Sequence, residues 1–296
     1  MSGRDTSASL ANGLPGHYAD PNLVAANGRY LLYPTTDGSV NWSSRSFSAF
    51  SSRDLASWED HGVILSLGKD VPWATERAWA PTFASRSGRF YFYFTADDNI
   101  GVAVSDNPLG PFTDIGVPLV AAGEFDGRAI DPSVFVDADG SQYLLWGNGA
   151  AHIVRLADDM VSFDRSAVHT WVPTDFCEAI WLHRRGDRYY ASWSVNDTRS
   201  ENYHVRYATG VSPFGPWVNQ GVLLEKEASR GILATGHHSI LNVPGTDEWV
   251  IAYHRFGIPD GDGFHREIAF DRLIHRADGL IERVIPTIEP LQIPIN

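Results

Sequence analysis

The chain repeats one short pattern five times, namely Asp20-Pro21-Asn22-Leu23, Ala80-Pro81-Thr82-Phe83, Asp131-Pro132-Ser133-Val134, Glu178-Ala179-Ile180-Trp181 and His237-His238-Ser239-Ile240. A turn glycine follows the start of each copy after eight residues, or nine in the third copy. Behind each glycine comes a short run of aromatic and branched residues, which is typical of a β-strand. Self-similarity at such a period predicts a repeat architecture.

The second half of each repeat also recurs. A short strand, a turn and an outer strand can be read in 48–55 before 62–65, and again in 205–208 before 221–224. In the segments between Gly, Asp-Gly and Pro-Gly turns, apolar residues alternate with polar ones. No long stretch has helical spacing, so the pattern indicates an all-β chain. Four antiparallel strands in each of five units predict a five-bladed β-propeller. We expect residues 1–296 to form this single domain, with blades that start near 20, 80, 131, 178 and 237.

Composition fits a compact domain and argues against two classes of partner. The 296 residues are 43% hydrophobic and 12% aromatic, which is enough for a large core. The formal net charge of −13 argues against nucleic acid, because affinity for phosphates comes from clustered Lys and Arg. The sequence has no apolar run long enough to cross a bilayer, so we expect no membrane partner.

Cysteine content and the start of the chain bear on the compartment. Cys177 is the only cysteine, so there is no intrachain disulfide and the fold does not need an oxidising environment. The segment from Met1 to Ser7 lacks the basic stretch and apolar stretch of a secretion signal. From these observations we expect a cytoplasmic protein.

Three of the five repeats begin with a carboxylate: Asp20, Asp131 and Glu178. The innermost strand of a propeller blade starts near the axis, so equivalent repeat positions converge on one place. An Asp-Pro pair alone is a common turn starter, but the shared register of the three residues favours a functional site. Carboxylates gathered on one axis resist ionising together, which can separate an acid from a base.

These segments together resemble glycoside hydrolase family 43. The resemblance is carried by Tyr18-Ala19-Asp20-Pro21, Trp79-Ala80-Pro81, Ile130-Asp131-Pro132-Ser133, Cys177-Glu178-Ala179 and Gly236-His237-His238-Ser239, with Gly110-Pro111-Phe112 and Phe214-Gly215-Pro216-Trp217 between them. It covers the chain from about Tyr18 to Pro290. It implies that Asp20 is the general base, that Glu178 is the general acid, and that Asp131 modulates this acid and holds it in place. It also implies inversion at the anomeric carbon.

The residues themselves are consistent with these roles. Inverting hydrolysis needs a protonated carboxyl beside the leaving oxygen. It also needs an ionised carboxylate that activates water on the opposite face of the sugar, and the two carboxyls lie about 6.5–9.5 Å apart. Apolar neighbours such as Phe176 and Ile180 favour the neutral form of a carboxyl at Glu178. Asp20, at the mouth of its strand, can stay ionised and hold the water.

Four further residues are candidates for binding the sugar. Arg266 stands where the resemblance implies an arginine that reaches the substrate, and a solvated loop arginine is the alternative. Trp79 could stack on a sugar ring or pack between blades. Trp42 and Trp73 lie on predicted loops above the funnel, where each could line a subsite or anchor its own loop.

His237 has the repeat position in the fifth blade. The resemblance implies a histidine on the axis there, near a calcium or another cation that is bound largely through water, since calcium prefers about six to eight oxygen ligands. An axial histidine that only makes hydrogen bonds is the alternative. The hydrolysis itself requires no cofactor.

The sequence therefore predicts an exo-acting, inverting glycosidase with an oligosaccharide substrate. The first choice is an α-L-arabinofuranosidase acting on oligosaccharides from arabinan or arabinoxylan, a choice that rests on overall similarity, especially in 266–273 and 278–281. A β-xylosidase of the same family is the close alternative. A retaining fructosidase and a non-catalytic sugar-binding propeller are the others, although the fructosidase pattern has Asn and Arg where this chain has Ala19 and Ile130.

Overall fold

The computed structural model describes residues 12–295 and arranges them in five antiparallel sheets. Blade one contains β1 (Tyr18–Ala26), β2 (Arg29–Thr36), β3 (Ser46–Ser52) and β4 (Trp58–Ser66). Blade two contains β5 (Trp79–Arg86), β6 (Arg89–Ala96), β7 (Asn99–Ser105) and β8 (Thr113–Asp114). Blade three contains β9 (Ser133–Val136), β10 (Gln142–Trp146), β11 (Ala151–Arg155) and β12 (His169–Trp171). Blade four contains β13 (Glu178–Arg185), β14 (Arg188–Val195), β15 (His204–Gly210) and β16 (Val218–Leu224). Blade five contains β17 (Gly236–Asn242), β18 (Trp249–Phe256) and β19 (Arg266–Arg272).

The sheets close into a ring. Each of the first strands β1, β5, β9 and β13 contacts the first strand of the next blade, and β17 contacts β1. The prediction of an all-β, five-bladed propeller is confirmed. Within residues 12–295 the helical pieces are three 3-10 turns, Val40–Trp42, Arg165–Ala167 and Ala228–Arg230. A helix with the length and apolar character to span a membrane is not found in that range.

The end of the described chain joins the fifth blade to the first. After β19, Ile281 forms an isolated bridge with His275. The backbone N–H groups of Ile293 and Ile295 then donate to the carbonyls of Asp54 and Arg53, each at 2.9 Å. The segment from Met1 to Ser7, on which the expectation about secretion depends, lies outside the described residues.

A repeated β-bulge shapes the inner strands. The pairing register shifts between Ala19 and Asn22 in β1, and at the equivalent places in β5, β13 and β17. One residue at each of these four places has a positive φ, namely Asp20 (50°), Ala80 (43°), Ala179 (57°) and His237 (42°), and so has Asp131 (59°), two residues before β9. Such an extra residue bends a strand and re-aims its side chains.

The bulge corrects one detail of the predicted repeat. Asp20 and Asp131 are the bulged residues of their blades, but in blade four this place belongs to Ala179. Glu178 is one position earlier and pairs with Ser194, as Trp79 pairs with Thr95. Two successive positions of the inner strands therefore supply site residues.

A side chain from the second strand of one blade supports the bulge of the next blade. The bulged N–H points out of its own sheet and would otherwise lack a partner. Three such contacts are present: Ala80 N–H to Thr35 Oγ1 (2.7 Å), Asp131 N–H to Thr95 Oγ1 (3.0 Å) and His237 N–H to Ser194 Oγ (2.9 Å). In blade one, His254 of the preceding blade lies against Asp20. The backbone at Asp131 and at His237 is therefore fixed by the preceding blade.

Hydrophobic side chains fill the wedges between blades. Between blades one and two, Tyr33 stacks on Phe83 with ring centroids 5.0 Å apart, and its hydroxyl donates to Pro108 O at 2.6 Å. Trp146 and Trp193 are fully buried in other clusters. Much of the aromatic content therefore serves packing between blades.

Candidate active site

The inner ends of the blades enclose a pocket. Its wall contains all three predicted carboxylates and four of the five other predicted site residues. The lining residues are Asp20, Trp42, Trp79, Arg128, Ile130, Asp131, Asn148, Cys177, Glu178, Asp197, Thr198, Arg199, His237 and Arg266. The structure thus brings Trp42, Trp79, His237 and Arg266 together with the carboxylates.

Trp73 does not line this pocket. This corrects the prediction that it could line a subsite. Its ring stacks on Phe94 in blade two with centroids 6.1 Å apart. Its Nε1–H donates to Asp114 Oδ2 at 2.9 Å. A Cβ on Gly101 would lie 2.8 Å from the indole, so the ring fits closely against that backbone. Trp73 anchors its own loop, which was the alternative interpretation.

Asp20 is buried among cationic and hydrogen-bonding groups. Its Oδ1 lies 3.2 Å from His237 Nδ1, 3.1 Å from His254 Nδ1 and 3.4 Å from Arg266 Nη1. Burial alone would raise the pKa of Asp20, but the charges of His237 and Arg266 and the hydrogen bond with His254 more than offset it. The pKa therefore lies well below its ordinary value, and Asp20 is ionised at neutral pH.

A second buried carboxylate holds Arg266. The Nε and backbone N–H groups of Arg266 donate to Asp37 Oδ2 at 2.8 and 2.9 Å, and Nη2 donates to Oδ1 at 3.2 Å. Nη1 faces Thr198 Oγ1 at 3.2 Å as well as Asp20. Only 5% of the Arg266 side chain is exposed, so the alternative of a solvated loop arginine is excluded. Two-point contacts of this kind fix a guanidinium in one orientation.

Asp131 is a buried carboxyl whose surroundings favour the protonated form. Burial, then the negative charges of Glu178 and Asp20, raise the pKa of Asp131 well above its ordinary value, and Arg128 offsets only part of this. Among the described residues, Asp131 Oδ2 has no hydrogen-bond partner. Its nearest basic nitrogen is His237 Nδ1 at 4.0 Å.

Glu178 is half-buried, and both of its carboxyl oxygens accept hydrogen bonds. The Tyr203 hydroxyl donates to Oε1 at 2.7 Å, and Asn148 Nδ2 donates to Oε2 at 2.9 Å. One ligand atom each of Asp131, Glu178 and His237 lies within 4.8 Å of the other two. The carboxyls of Asp131 and Glu178 therefore share one small region, in which two negative charges would repel each other.

These three side chains do not suit calcium. Together they offer few oxygen ligands, whereas calcium takes about six to eight. Both oxygens of Glu178 already accept hydrogen bonds, and His237 Nδ1 faces Asp20. A cation bound here would also keep Glu178 ionised and prevent it from carrying a proton. The cation near His237 stays a prediction, and no chemical step depends on it.

Two tryptophans join loops of different blades beside the pocket. Trp79 Nε1–H donates to Trp42 O, and Trp42 Nε1–H donates to Gly263 O, both at 2.7 Å. The Trp42 ring packs on Phe264 with centroids 4.5 Å apart, and the Arg199 guanidinium lies 5.6 Å from the Trp42 ring. Residues of blades one, two, four and five thus interlock on this side.

Sequence reasoning missed several residues that hold the site. Asn148, Tyr203, Thr198, His254 and Asp37 contact the catalytic candidates or Arg266. One signal was present for Tyr203. A Cβ on Gly236, the residue before His237, would lie 2.2 Å from Cε1 of Tyr203. This glycine leaves the space that the tyrosine ring occupies.

Known proteins with the same architecture settle the family. The model of glycosyl hydrolases family 43 matches residues 13–281. The chain belongs to glycoside hydrolase family 43. This family 43 protein is 32% identical to a β-D-galactofuranosidase of Aspergillus niger, over 94% of this chain and 85% of the relative. It is 30% identical to a xylosidase/arabinosidase of Bacteroides ovatus, over 90% and 95% of the two chains.

A solved structure is similar over its whole length. It is a family 43 β-xylosidase/α-arabinofuranosidase from a compost microbial metagenome, in complex with xylotriose and in a calcium-free form. The TM-score is 0.80 at 30% identity, with 95% of this chain and 100% of that chain covered. The resemblance derived from the sequence motifs is confirmed, and membership of family 43 implies that the protein is a glycosidase.

Proposed function

We propose that this glycosidase is an inverting, exo-acting α-L-arabinofuranosidase that releases terminal arabinose from arabinan- or arabinoxylan-derived oligosaccharides. The observation that supports the reaction is the contrast between two carboxyls in one pocket. Cationic neighbours keep Asp20 ionised. Glu178 lies beside Asp131, a buried carboxyl whose surroundings favour the protonated form.

The contrast fits an acid and a base on opposite sides of a sugar. In this mechanism Asp20 takes a proton from water as the water oxygen attacks the anomeric carbon. Glu178 gives its proton to the glycosidic oxygen as the bond from that oxygen to the anomeric carbon breaks. The product has the inverted configuration. Each turnover leaves Asp20 protonated and Glu178 ionised, and proton exchange with solvent restores both.

The interlocked loops support an exo mode of action. The contacts of Trp42 with Gly263, Phe264 and Arg199 build a wall of several loops beside the pocket. Such a wall holds one terminal sugar and stops a chain from continuing past it. We therefore expect stepwise release of monosaccharide from the non-reducing end.

The choice of sugar rests on similarity. The Bacteroides ovatus relative is named a xylosidase/arabinosidase, and the metagenomic structure carries both activities in its name and was solved with xylotriose. These names keep a β-xylosidase as the second candidate. Family membership speaks against the two remaining alternatives, the retaining fructosidase and the non-catalytic binding propeller.

One assay tests these proposals together. The protein is incubated with aryl glycosides, arabino-oligosaccharides and xylo-oligosaccharides while NMR follows the anomer that forms first. We expect arabinose of inverted configuration as the first product. A retained anomer would overturn the mechanism, early di- and trisaccharides from linear arabinan would overturn the exo mode, and faster release of xylose would favour the second candidate.

A further inference from the structure

The turn between β6 and β7 has an unusual residue in a strained position. It is a two-residue turn, Asp97-Asp98, because Ala96 pairs with Asn99. Both turn residues have a positive φ, of 47° and 61°. Such a turn favours glycine at its second position, and the hairpin turns Asn27-Gly28 and Ser87-Gly88 of this protein have glycine there. An aspartate in the second position is a local conformational cost of the kind that persists at functional sites.

The carboxylate of Asp98 bridges two arginines. Its Oδ2 accepts a hydrogen bond from Arg77 Nη1 at 2.6 Å, and its Oδ1 accepts one from Arg128 Nη2. Arg77 precedes β5 and Arg128 precedes β9, so the bridge joins blades two and three. Ion pairs at the surface stabilise a fold very little. The main consequence of this bridge is therefore the placement of the two guanidinium groups.

Both guanidinium groups lie over the ring of Trp79. Arg77 Cζ is 5.8 Å and Arg128 Cζ is 6.0 Å from the ring centroid, a distance at which a cation is attracted to the ring. Trp79 and Arg128 line the catalytic pocket, whereas Arg77 and Asp98 do not. Asp98 is thus in a position to order two residues of the pocket wall from outside the pocket.

The backbone at Arg128 is held separately from Asp98. Its N–H donates to Asn148 O at 3.0 Å. A Cβ on Gly127 would lie 2.3 Å from the same oxygen, so the two segments are in close contact. Among the described residues, Asp98 is the one hydrogen-bond partner of the Arg128 side chain. Asp98 therefore fixes the guanidinium group, and the other N–H groups of Arg128 are available to a ligand in the pocket.

We propose that Asp98 is a positioning residue, which holds Arg128 beside Trp79 so that the Arg128 guanidinium binds a hydroxyl of the terminal sugar. The inference rests on the proposed function, because it takes the pocket to be the site of that sugar. It does not depend on which pentose is bound. A guanidinium presents several N–H donors in a rigid plane, and a side chain that is ordered before binding loses less conformational entropy on binding. The strained turn thus contributes to affinity in the neighbouring pocket.

Asp98→Asn is the test variant. Asparagine also tolerates a positive φ, so the turn is kept while the charge that binds both arginines is lost. The constants kcat and KM are measured on an aryl α-L-arabinofuranoside and an aryl β-D-xylopyranoside, and the better substrate serves for all variants. We expect KM to rise by about three- to tenfold and kcat to stay within about twofold, because a contact away from the reacting atoms contributes equally to the ground state and the transition state.

Asp158→Asn is the matched control. Asp158 also pairs with an arginine, Arg86, at 2.6 Å, but neither residue lines the pocket. Its KM should equal that of the wild type. Arg128→Gln should raise KM as Asp98→Asn does, and the double variant should raise it no further, because the two residues act through one contact.

A second measurement does not depend on turnover. The Nε1–H group of Trp79 donates to Trp42 O, and its NMR signal can be assigned by its loss in Trp79→Phe. We expect this signal to shift in Asp98→Asn, because the cations beside the ring move. It should keep its wild-type position in Asp158→Asn.

Three kinetic outcomes would overturn the proposal. They are a wild-type KM in Asp98→Asn, a fall in kcat with KM unchanged, and an increase in KM in the double variant that is the product of the two single increases. Each of them leaves the proposed function intact if the wild-type protein hydrolyses the substrate with inversion. A wild-type protein that hydrolyses neither substrate would overturn the proposed function and the contact between Arg128 and the sugar. In that case a shifted Trp79 signal in Asp98→Asn still supports the positioning role of Asp98, and an unmoved signal overturns it.

Discussion

The hydroxyl of Tyr203 donates a hydrogen bond of 2.7 Å to Oε1 of Glu178. The same ring is fully buried and stacks on His254, with centroids 5.4 Å apart and planes 5° from parallel. His254 in turn contacts Asp20. A single tyrosine thus connects the surroundings of the acid with those of the base.

Tyr203→Phe should therefore impair the acid more than the base. The variant removes the hydrogen bond that positions Glu178, while the ring that stacks on His254 remains. We expect kcat/KM to fall by about tenfold on oligosaccharides and by less on aryl glycosides with good leaving groups, which need little protonation. The control is Tyr207→Phe, which removes a hydroxyl that donates to Ile281 O at 3.2 Å. Equal changes in kcat/KM for the two variants on both substrate classes would show that Tyr203 is only structural.

Substrates with different leaving groups should separate the two carboxylates. Glu178→Ala should lose most activity on oligosaccharides, by about a hundredfold or more, but keep much of it on aryl glycosides with good leaving groups, which need little protonation. Asp20→Ala should lose activity on both, since no leaving group replaces an activated water. Steady-state kinetics on both substrate classes measure this. Equal losses in Glu178→Ala would remove Glu178 from the role of acid.

Arg266→Gln should move the acidic limb of the kcat/KM profile. The low pKa of Asp20 depends in part on the charge of Arg266, so removing that charge raises the pKa of Asp20. The base is then protonated, and activity lost, at a higher pH than in the wild type. Arg199→Gln is the control, because Arg199 lines the same pocket but pairs with Asp197. An acidic limb that stays in place would contradict the role of Arg266.

Buried histidines should make the fold sensitive to acid. Burial first of all lowers the pKa of His238 and of His254 from 6.5 to about 3. Between these values the unfolded chain binds protons that the folded protein does not. The free energy of unfolding should therefore decrease as the pH falls from about 6.5 toward 3.

Urea unfolding at a series of pH values measures this effect. Within residues 12–295, the Ser192 hydroxyl is the one hydrogen-bond partner of the His238 side chain, at 2.6 Å. His238→Gln should flatten the dependence of stability on pH, because one buried titrating group is removed. His169→Gln changes an exposed histidine and should leave the slope as in the wild type. A slope that is unaltered in His238→Gln would refute the assignment.

The ring of blades could be predicted from the sequence because its signals are local. Each inner strand carries its own opening and its own turn glycine. The one-residue error at Glu178 has a physical cause. The bulge inserts its extra residue at Ala179 in blade four but at Asp20 in blade one, and a comparison of sequence repeats does not show which residue of a strand is bulged.

The contacts between blades could not be predicted in the same way. Asp37 and Arg266 are 229 residues apart in the chain, and no pattern in either segment indicates the other. Trp73 and Trp42 both follow loop signals, yet Trp73 packs on its own blade while Trp42 reaches blade five. Whether a loop tryptophan lines the pocket depends on its packing against residues that are distant in the sequence.

The support of the inner strands of blades two, three and five by the preceding blade limits how such proteins can be recombined. Thr95 of blade two holds the backbone of Asp131 in blade three, so a graft of blade three alone would bring the carboxylate without its support. The better module for exchange between relatives begins at a second strand and ends at the next first strand. Residues 89–136 form such a module, and they carry Thr95 and Asp131 together.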